Sequence, residues 1–447
     1  MNVAERHRLF SIRGNFYTIG QASFSFHSGA LISRHTIPTF RMHALTSSSA
    51  PRIPGTFFLH SPGPVRLPQQ VANALGTQPF ELGDPALDEL IARCESGLKK
   101  VFGTSRSDVF LYAANGHGAW EAAICNLVAP GKCVAVAGSG AFSEAWAQYA
   151  EELGVQVRRT ACETGHAADP AAVGQLLRAD TAHEIVAVFV VHTDTGASVT
   201  NNLQAFRDEI DAASHPALLV VDVVASLAAE PFDMDTLGVD VAIGASQKAL
   251  MISPGLSFMA VSEKAMRVAE ANKTPRVYWD WLRRRSDLGY RKFCGTPPQN
   301  LLMGLDVALA LIFEEGLQNA IARHRLLAGA VHAAVEGWSE RGDVGFFVRE
   351  PRSRSVSVTA IEVRPGIDPE KLRTVAREQF QVGIAGGVGA LVGRIFRIGH
   401  LGDLNAPMIL GCLAGVEAAM SISGIAYGPG LERAVRLLSA STTENTQ

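Results

Sequence analysis

Short, uninterrupted apolar runs alternate with amphipathic stretches along most of this chain, and this alternation constrains the fold more than any other feature. Ile185–Val191 and Leu218–Val221 are runs of this kind, as expected for parallel strands buried on both faces. Strands that alternate with helices predict an α/β fold, in which helices flank a mainly parallel sheet. Further strands are predicted at Val109–Ala114, Lys132–Ala137, Val239–Gly244 and Leu256–Val261, and helices at Pro85–Phe102, Ala119–Val128 and Phe142–Gly154.

The pattern changes after Gly295, which indicates a second domain. A chain of 447 residues is too long for one small core. We therefore predict a large domain over residues 51–317, with an N-terminal segment at 51–84, and a smaller C-terminal α+β domain over residues 318–440. The elements predicted in this part are helices at Asn300–Glu315, Leu317–Trp338, Pro369–Phe380 and Pro407–Ser423, and strands at Ser355–Val363 and Arg394–Ile398.

The first 50 residues differ in composition from the rest of the chain. They contain five arginines, no lysine, many serines and one acid, Glu5. Such a composition is typical of an organellar transit peptide. A disordered extension, or a start codon placed too far upstream, explains the same composition, and we favour these ordinary interpretations. We accordingly expect a cytoplasmic protein, or an organellar one if the segment is a transit peptide.

Charge and cysteine content argue against several other classes of protein. The formal net charge of −3 argues against a nucleic-acid partner. No apolar run reaches the roughly 18 residues that a membrane span needs, so we expect no membrane association. The six cysteines form no C-x-x-C pair, which predicts buried thiols and no metal site.

Two residues at strand ends carry reactive chemistry. Asp222 follows the run Leu218–Val221, and Lys248 lies just beyond the next predicted strand. Ligands of open α/β sheets bind at the carboxyl ends of the strands. A buried carboxylate there needs a cationic partner such as a protonated pyridine nitrogen, and a desolvated lysine amine can form an imine with a carbonyl cofactor. The ordinary alternatives are a helix-capping or ion-paired aspartate and a surface lysine.

Other segments could bind an anion, a ring or a carboxylate. The glycine-containing segment from Asn115 to Gly118 precedes a predicted helix, where backbone N–H groups can bind a phosphate. Arg397, in an apolar strand, suits bidentate binding of a carboxylate or a structural salt bridge. Phe142 could stack on a cofactor ring or belong to the core. His192 and the residues after it could bond a ring oxygen, although a buried structural histidine is the simpler interpretation.

Taken in this order, the segments resemble class V aminotransferases of pyridoxal-phosphate (PLP) fold type I, with the closest likeness to the serine–glyoxylate and alanine–glyoxylate branch. The resemblance runs from about His60 to about Ser423. It rests on segments similar to the family's G-P-G-P, S-G-T/S-G, V-D-x-V-x-S, G-S-Q-K-x-L and R-I-G-x-L-G motifs. In this chain these are Ser61–Pro64, Asn115–Ala122, Val221–Ser226, Gly244–Leu250 and Phe396–Asp403.

The resemblance implies PLP as the cofactor, bound as a Schiff base to Lys248, which also moves the substrate proton. It also implies a seven-stranded sheet and a homodimer with shared active sites. Asp222 would pair with the pyridine nitrogen, and Arg397 would bind the substrate carboxylate. The remaining implied contacts are Gly116, His117 and Gln247 at the phosphate, with Asn115 in place of the family's serine; Phe142 and Val224 on the ring; Thr195 near the ring hydroxyl; and Thr296 reaching the phosphate from the other subunit.

The implied activity is transfer of an amino group from serine or alanine to glyoxylate or pyruvate by a ping-pong mechanism. Departures from the family pattern at Asn115, His192–Ser198, Phe293 and Glu81–Ala86 leave the donor open. Pyridoxamine, aspartate and 2-aminoethylphosphonate are alternative donors. A class V lyase such as a cysteine desulfurase, with Cys294 as its reactive thiol, and a non-catalytic PLP-fold binding protein are the alternatives from other classes.

Overall fold

The computed structural model describes residues 54–444, so the predicted N-terminal extension lies outside the described residues. The strands are β1 (Phe58–His60), β2 (Asp108–Tyr112), β3 (Cys133–Val136), β4 (Gln156–Arg159), β5 (Ile185–Val191), β6 (Thr193–Asp194), β7 (Val199–Thr200), β8 (Leu218–Asp222), β9 (Val241–Ala245), β10 (Ser257–Val261), β11 (Val344–Phe346), β12 (Val358–Val363), β13 (Val382–Gly386) and β14 (Ile395–Gly399). The helices are α1 (Gln69–Leu75), α2 (Pro85–Phe102), α3 (Gly116–Leu127), α4 (Ala141–Glu152), α5 (Pro170–Ala179), α6 (Leu203–Ala212), α7 (Met234–Leu237), α8 (Glu263–Ala271), α9 (Trp281–Arg284), α10 (Gly289–Lys292), α11 (Gln299–Glu315), α12 (Leu317–Trp338), α13 (Pro369–Phe380), α14 (Ala406–Ser423) and α15 (Gly430–Glu444).

A seven-stranded sheet has the order β2-β10-β9-β8-β5-β3-β4. Its strands run parallel except β10, which is antiparallel to both β9 and β2. The segment 246–256 that joins β9 to β10 contains no helix, and a parallel crossover normally requires one. The mainly parallel sheet confirms the predicted α/β class.

Both faces of this sheet are covered by helices. Val188 and Val190 of β5 point into one core with residues of α2, α5, α6 and α11. Ala187 and Phe189 point into the opposite core with residues of α3, α4 and α8. This alternation follows from the two-residue period of a strand, and it explains why β5 reads as a continuous apolar run.

A five-stranded sheet in the C-terminal part has the order β1-β13-β14-β12-β11. It packs with α12 to α15 around a separate core, whereas α11 belongs to a core of the seven-stranded sheet. The change of core therefore falls at Gly316, between α11 and α12. Strand β1 pairs in parallel with β13, so the N-terminal segment, which we placed in the large domain, contributes a strand to the small-domain sheet.

Helix α14 is, within the described residues, long and apolar enough to cross a membrane by length and composition. The expectation that no stretch reaches this length therefore needs correction. Ile409, Leu413 and Val416 of this helix are buried in the small-domain core. A core helix passes the same test of length and composition, so the finding is weak support for a membrane span.

Candidate active site

A cavity of about 310 Å³ lies where the carboxyl ends of β5, β8 and β9 meet the N-terminus of α3. It brings together most of the site residues predicted from the sequence, namely Asn115, Gly116, His117, Phe142, Thr195, Asp222, Val224, Gln247 and Lys248. A larger cavity, of about 500 Å³, lies along α4 and is lined by none of these residues. The smaller cavity is therefore the candidate active site.

The N-terminus of α3 forms one wall of the cavity. Asn115 is the N-cap residue, and its Oδ1 accepts a hydrogen bond of 3.2 Å from the N–H of Gly118. The N–H groups of Gly116 and His117 belong to the first turn, where a helix leaves them without helical partners. A Cβ atom on Gly116 would lie 3.2 Å from Cγ2 of Val224, so glycine allows this close approach. These N–H groups can bind an anion such as a phosphate.

Gln247 lines the same cavity immediately before Lys248. Its Oε1 is buried and has no hydrogen-bond partner among the residues that the structure describes. Buried polar atoms are normally paired, and an unpaired side-chain amide in a cavity indicates that a ligand completes its hydrogen bonding.

Asp222, the last residue of β8, is buried beneath the cavity. Its Oδ2 accepts a hydrogen bond of 2.7 Å from Nε1 of Trp120, and its Oδ1 accepts one of 2.7 Å from the N–H of Val224. Burial raises the pKa of Asp222 to about 6, although these two hydrogen bonds and the charge of Lys248 oppose the rise. A carboxylate in this setting is stabilised by a cationic ligand such as a protonated ring nitrogen.

Lys248, partly buried, lines the same cavity as this carboxylate and donates a hydrogen bond to the carbonyl oxygen of Pro62. Burial and the nearby charge of Arg397 lower the pKa of Lys248 to about 8, against the opposing effect of Asp222. A Cβ atom on Gly63 would lie 2.5 Å from Cδ of Lys248, and Gly63 has a φ of +115°, so only glycine fits there. The lowered pKa makes this amine a nucleophile near neutral pH.

Arg397 of β14 lies behind Thr195 and does not line the cavity itself. Its Nε donates to the carbonyl oxygen of Gly386 at 2.7 Å, and its Nη1 donates to that of Thr195 at 2.6 Å. Its Nη2 makes no hydrogen bond to any described residue, and the guanidinium has no salt-bridge partner in that part of the chain. Burial lowers the pKa of Arg397 to about 10. The charge of the nearby Asp194 carboxylate opposes this lowering. A buried guanidinium beside the cavity, with an N–H group that no described residue accepts, is suited to binding a substrate carboxylate.

Asp194 joins two parts of the site that sequence reasoning treated separately. Its carboxylate accepts hydrogen bonds from the N–H groups of Phe142 and Ser143 at the start of α4, at 2.8 and 3.3 Å. It also accepts from Gly196 and Ala197, at 2.9 and 3.1 Å. Asp194 thereby fixes Phe142 next to the turn that carries Thr195. The four backbone N–H donors on this one buried carboxylate indicate its structural role. The sequence contains no pattern that predicts them.

Some predicted contacts lie elsewhere. His192 is buried with its Nδ1 2.8 Å from Oγ of Ser226, and Thr193 rather than His192 lines the cavity. This arrangement favours the structural interpretation of His192. Thr296 is exposed and does not line the cavity of the single chain, so a contact from the other subunit stays a prediction.

Gly63, Pro64 and Trp120 line the cavity, although sequence reasoning gave them no contact with the ligand. Trp120 belongs to the motif Asn115–Ala122 and lies one helical turn after Gly116, so the two residues are on the same side of α3. Together the residues present fit PLP: a helix N-terminus for the phosphate, a buried carboxylate for the ring nitrogen, an aromatic side chain for the ring and a nucleophilic amine.

Comparison with known proteins gives the same result. Residues 81–396 match the aminotransferase class-V family. The serine–glyoxylate aminotransferase of Methylorubrum extorquens is 40% identical over 389 residues, which cover 86% of this chain and 95% of that protein. The L-aspartate–glyoxylate aminotransferase of Paracoccus denitrificans is 35% identical over 364 residues, which cover 81% of this chain and 91% of that protein.

The crystal structure of ureidoglycine–glyoxylate aminotransferase from Bacillus subtilis superposes with a TM-score of 0.79 and 24% identity, covering 87% of this chain and 100% of that one. This likeness supports the fold alone, which is PLP fold type I. With the family match, the relatives and the geometry of the cavity, the chain belongs to the class V aminotransferases, and it is a PLP-dependent transaminase.

Proposed function

We propose that this transaminase moves the amino group of a small amino acid with a single carboxylate, serine or alanine, to glyoxylate or pyruvate by a ping-pong mechanism. The observation that carries the proposal is the buried guanidinium of Arg397, which donates to the carbonyl oxygens of Gly386 and of the cavity-lining Thr195 and whose Nη2 makes no hydrogen bond to a described residue. The relative from Methylorubrum extorquens, which is named for serine and glyoxylate, supports this choice.

A donor with two carboxylates would need a second cation. Within the described part of the chain no arginine lines the cavity, and the cationic or titratable bases that do are Lys248 and His117. Burial lowers the pKa of His117, which favours its neutral form. Aspartate, the donor in the name of the Paracoccus relative, is therefore the less favoured candidate, and pyridoxamine and 2-aminoethylphosphonate, which lack a carboxylate for Arg397, are less favoured as well.

A cysteine desulfurase reaction would need a thiol at the cofactor. No cysteine lines this cavity in the range that the structure describes. Cys294 is exposed outside the cavity, and Cys162 lines the larger cavity along α4. The positions of the thiols therefore favour transamination over a lyase reaction.

The residues of the site divide the work of the reaction. Bound PLP supplies an electron sink that stabilises the charge left on the substrate Cα when its proton is removed. Lys248 would hold the cofactor through its amine, and when that amine is free it is positioned to accept the proton of the substrate Cα and to return a proton as a general acid. Asp222 would keep the ring nitrogen protonated, and Arg397 would hold the carboxylate of donor and acceptor in turn. Because one site serves both substrates in succession, ping-pong kinetics are expected.

A panel of donors tests the proposal. Purified protein with bound PLP is mixed with serine, alanine, aspartate, pyridoxamine or 2-aminoethylphosphonate, and loss of the cofactor's visible absorbance is followed. Serine or alanine should bleach the band fastest, and glyoxylate or pyruvate should restore it after the amine is removed. Faster bleaching by aspartate, or by an amine without a carboxylate, would refute the assignment of the donor.

We also propose a homodimer with shared active sites. Large apolar side chains are exposed in the segment that precedes Thr296. Contact with a second copy of the chain would bury them and so explain their exposure in the single chain. These side chains are Val277, Tyr278, Leu282, Leu288 and Tyr290. Light scattering of the cofactor-bound protein should give the mass of two chains. An active species with the mass of one chain would contradict the proposal.

A further inference from the structure

We propose that Trp120 is a positioning residue for the cofactor: its indole N–H holds the Asp222 carboxylate in the orientation and charge state that bind the ring nitrogen. The inference rests on the proposed PLP-dependent function and deepens it, because it concerns the same carboxylate. It assigns a role to a side chain that does no chemistry on the substrate.

The contact itself is short and protected from water. Nε1 of Trp120 lies 2.7 Å from Oδ2 of Asp222, and Trp120 is only 2% exposed. The N–H of Val224 binds the other oxygen at 2.7 Å. With one donor on each oxygen the plane of the carboxylate is fixed, because rotation about the Cβ–Cγ bond would break both hydrogen bonds.

The indole is held in place by other aromatic rings. It stacks on Trp146 at a centroid distance of 5.5 Å and an interplanar angle of 15°. Tyr149 packs against it at 5.9 Å and 89°, and His117 lies 4.4 Å away. Because Trp120 lies on α3, the helix whose N-terminus faces the cavity, one rigid element carries both the phosphate-binding N–H groups and the donor to Asp222.

The hydrogen bond also affects the charge of the carboxylate. Burial favours the protonated form of Asp222, and the bonds from Val224 and Trp120 favour the ionised form. Of the charged groups that face Asp222, Lys248 favours ionisation and Asp194 opposes it. Removing the indole N–H would leave the carboxyl more readily protonated, and a neutral carboxyl attracts a protonated ring nitrogen less strongly.

The test compares the binding of two ligands by the wild-type protein and by three variants. Trp120→Phe keeps an aromatic ring but removes the N–H. Trp281→Phe is the matched control, since Trp281 is also fully buried and stacked, on Phe110, but it makes neither a ring contact with Trp120 nor a hydrogen bond to Asp222. Dissociation constants are measured by equilibrium dialysis, after removal of the cofactor, for PLP and for an analogue in which C–H replaces the ring nitrogen.

Trp120→Phe should weaken binding of PLP by about tenfold or more, the value of a hydrogen bond to a charged group, and should weaken binding of the analogue far less. Trp281→Phe should affect the two ligands equally. Trp120→His, which keeps a ring N–H, should recover part of the preference for PLP, and it serves as the second variant if Trp120→Phe is poorly folded.

Equal weakening of PLP and the analogue in Trp120→Phe, or in Trp120→His where the phenylalanine variant fails to fold, would show a purely structural role and overturn the inference. A wild-type protein that binds neither ligand would overturn the proposed function first and this inference with it. The two failures are thus distinguished by the wild-type measurement alone.

Discussion

Replacing Lys248 with alanine is expected to abolish covalent attachment of PLP and to lower the rate of transamination by about 10²–10⁴-fold, the contribution typical of a positioned general acid–base group. Lys248 is the lysine whose amine lines the cavity, and its side chain is confined by Gly63 and the Pro62 carbonyl. No other lysine lines this cavity within the described residues, so no neighbouring amine can take over its role.

Borohydride reduction followed by mass spectrometry of the peptides checks the attachment. The peptide that contains Lys248 should carry the mass of the reduced cofactor in the wild-type protein, and no peptide should carry it in Lys248→Ala. Lys264→Ala is the control, because Lys264 lies at the surface, 3.6 Å from Asp240. A variant without Lys248 that still carried the reduced cofactor on another lysine would contradict the assignment.

The rate of attachment should also depend on pH in a defined direction. Only the neutral amine attacks a carbonyl, and the pKa of Lys248 is lowered from 10.5 to about 8. The rate at which cofactor-free protein binds PLP covalently should therefore increase with pH, with a midpoint near pH 8, and should be low at more acidic pH. At pH 7 roughly a tenth of the amine is neutral, compared with about three in ten thousand for an unperturbed lysine. A midpoint above pH 10 would show that burial does not activate this lysine.

The class of fold could be predicted from the sequence because burial on both faces leaves a simple pattern. Strand β5 is uninterrupted and apolar, and α2 and α12 begin and end where their patterns do. Strand β4 escaped prediction because it lies at the edge of the sheet and consists of Gln156-Val157-Arg158-Arg159. Strand β1 has three residues and pairs with β13 far along the chain, so no local pattern reveals it.

The convergence of Asp222 and Lys248 on one cavity, the candidate site, could be predicted for a similar reason. Asp222 ends β8, and Lys248 lies just beyond β9, its neighbour in the sheet; parallel strands bring their carboxyl ends to one edge. Contacts across the sheet could not be predicted in this way. The hydrogen bonds from Trp120 to Asp222 and from Phe142 to Asp194 depend on how α3 and α4 pack on the strands, and no spacing along the chain encodes that packing.

Replacing Arg397 with alanine is expected to weaken binding of an amino acid donor by about 2–5 kcal/mol, which is roughly 30- to 5,000-fold in dissociation constant. Donor binding is measured as the concentration of serine or alanine that half-saturates bleaching of the cofactor band. Arg394→Ala is the control: this arginine immediately precedes β14, is half exposed and pairs with Glu362 at 3.5 Å. We expect the control to bind donors as the wild-type protein does.

Lysine at position 397 should recover only part of the affinity. It keeps a positive charge. A single ammonium group, however, cannot donate to the carbonyl oxygens of Gly386 and Thr195 and also bind a carboxylate in the planar geometry of a guanidinium. Loss of both carbonyl bonds would also loosen the contact between β14 and the turn at Thr195. The substitution therefore separates the contribution of charge from that of geometry.

A donor without a carboxylate shows whether the loss in Arg397→Ala arises from recognition or from damage to the site. Serinamide has no carboxylate for the guanidinium to bind. The concentration of serinamide that half-saturates bleaching of the cofactor band should therefore change little in Arg397→Ala. The charge of Arg397 also lowers the pKa of Lys248. If Arg397 acts mainly through that effect, its loss should affect serine and serinamide alike, and the midpoint of the pH dependence of bleaching should move to higher pH. Equal losses for serine and serinamide would therefore refute the assignment of Arg397 as the carboxylate-binding residue.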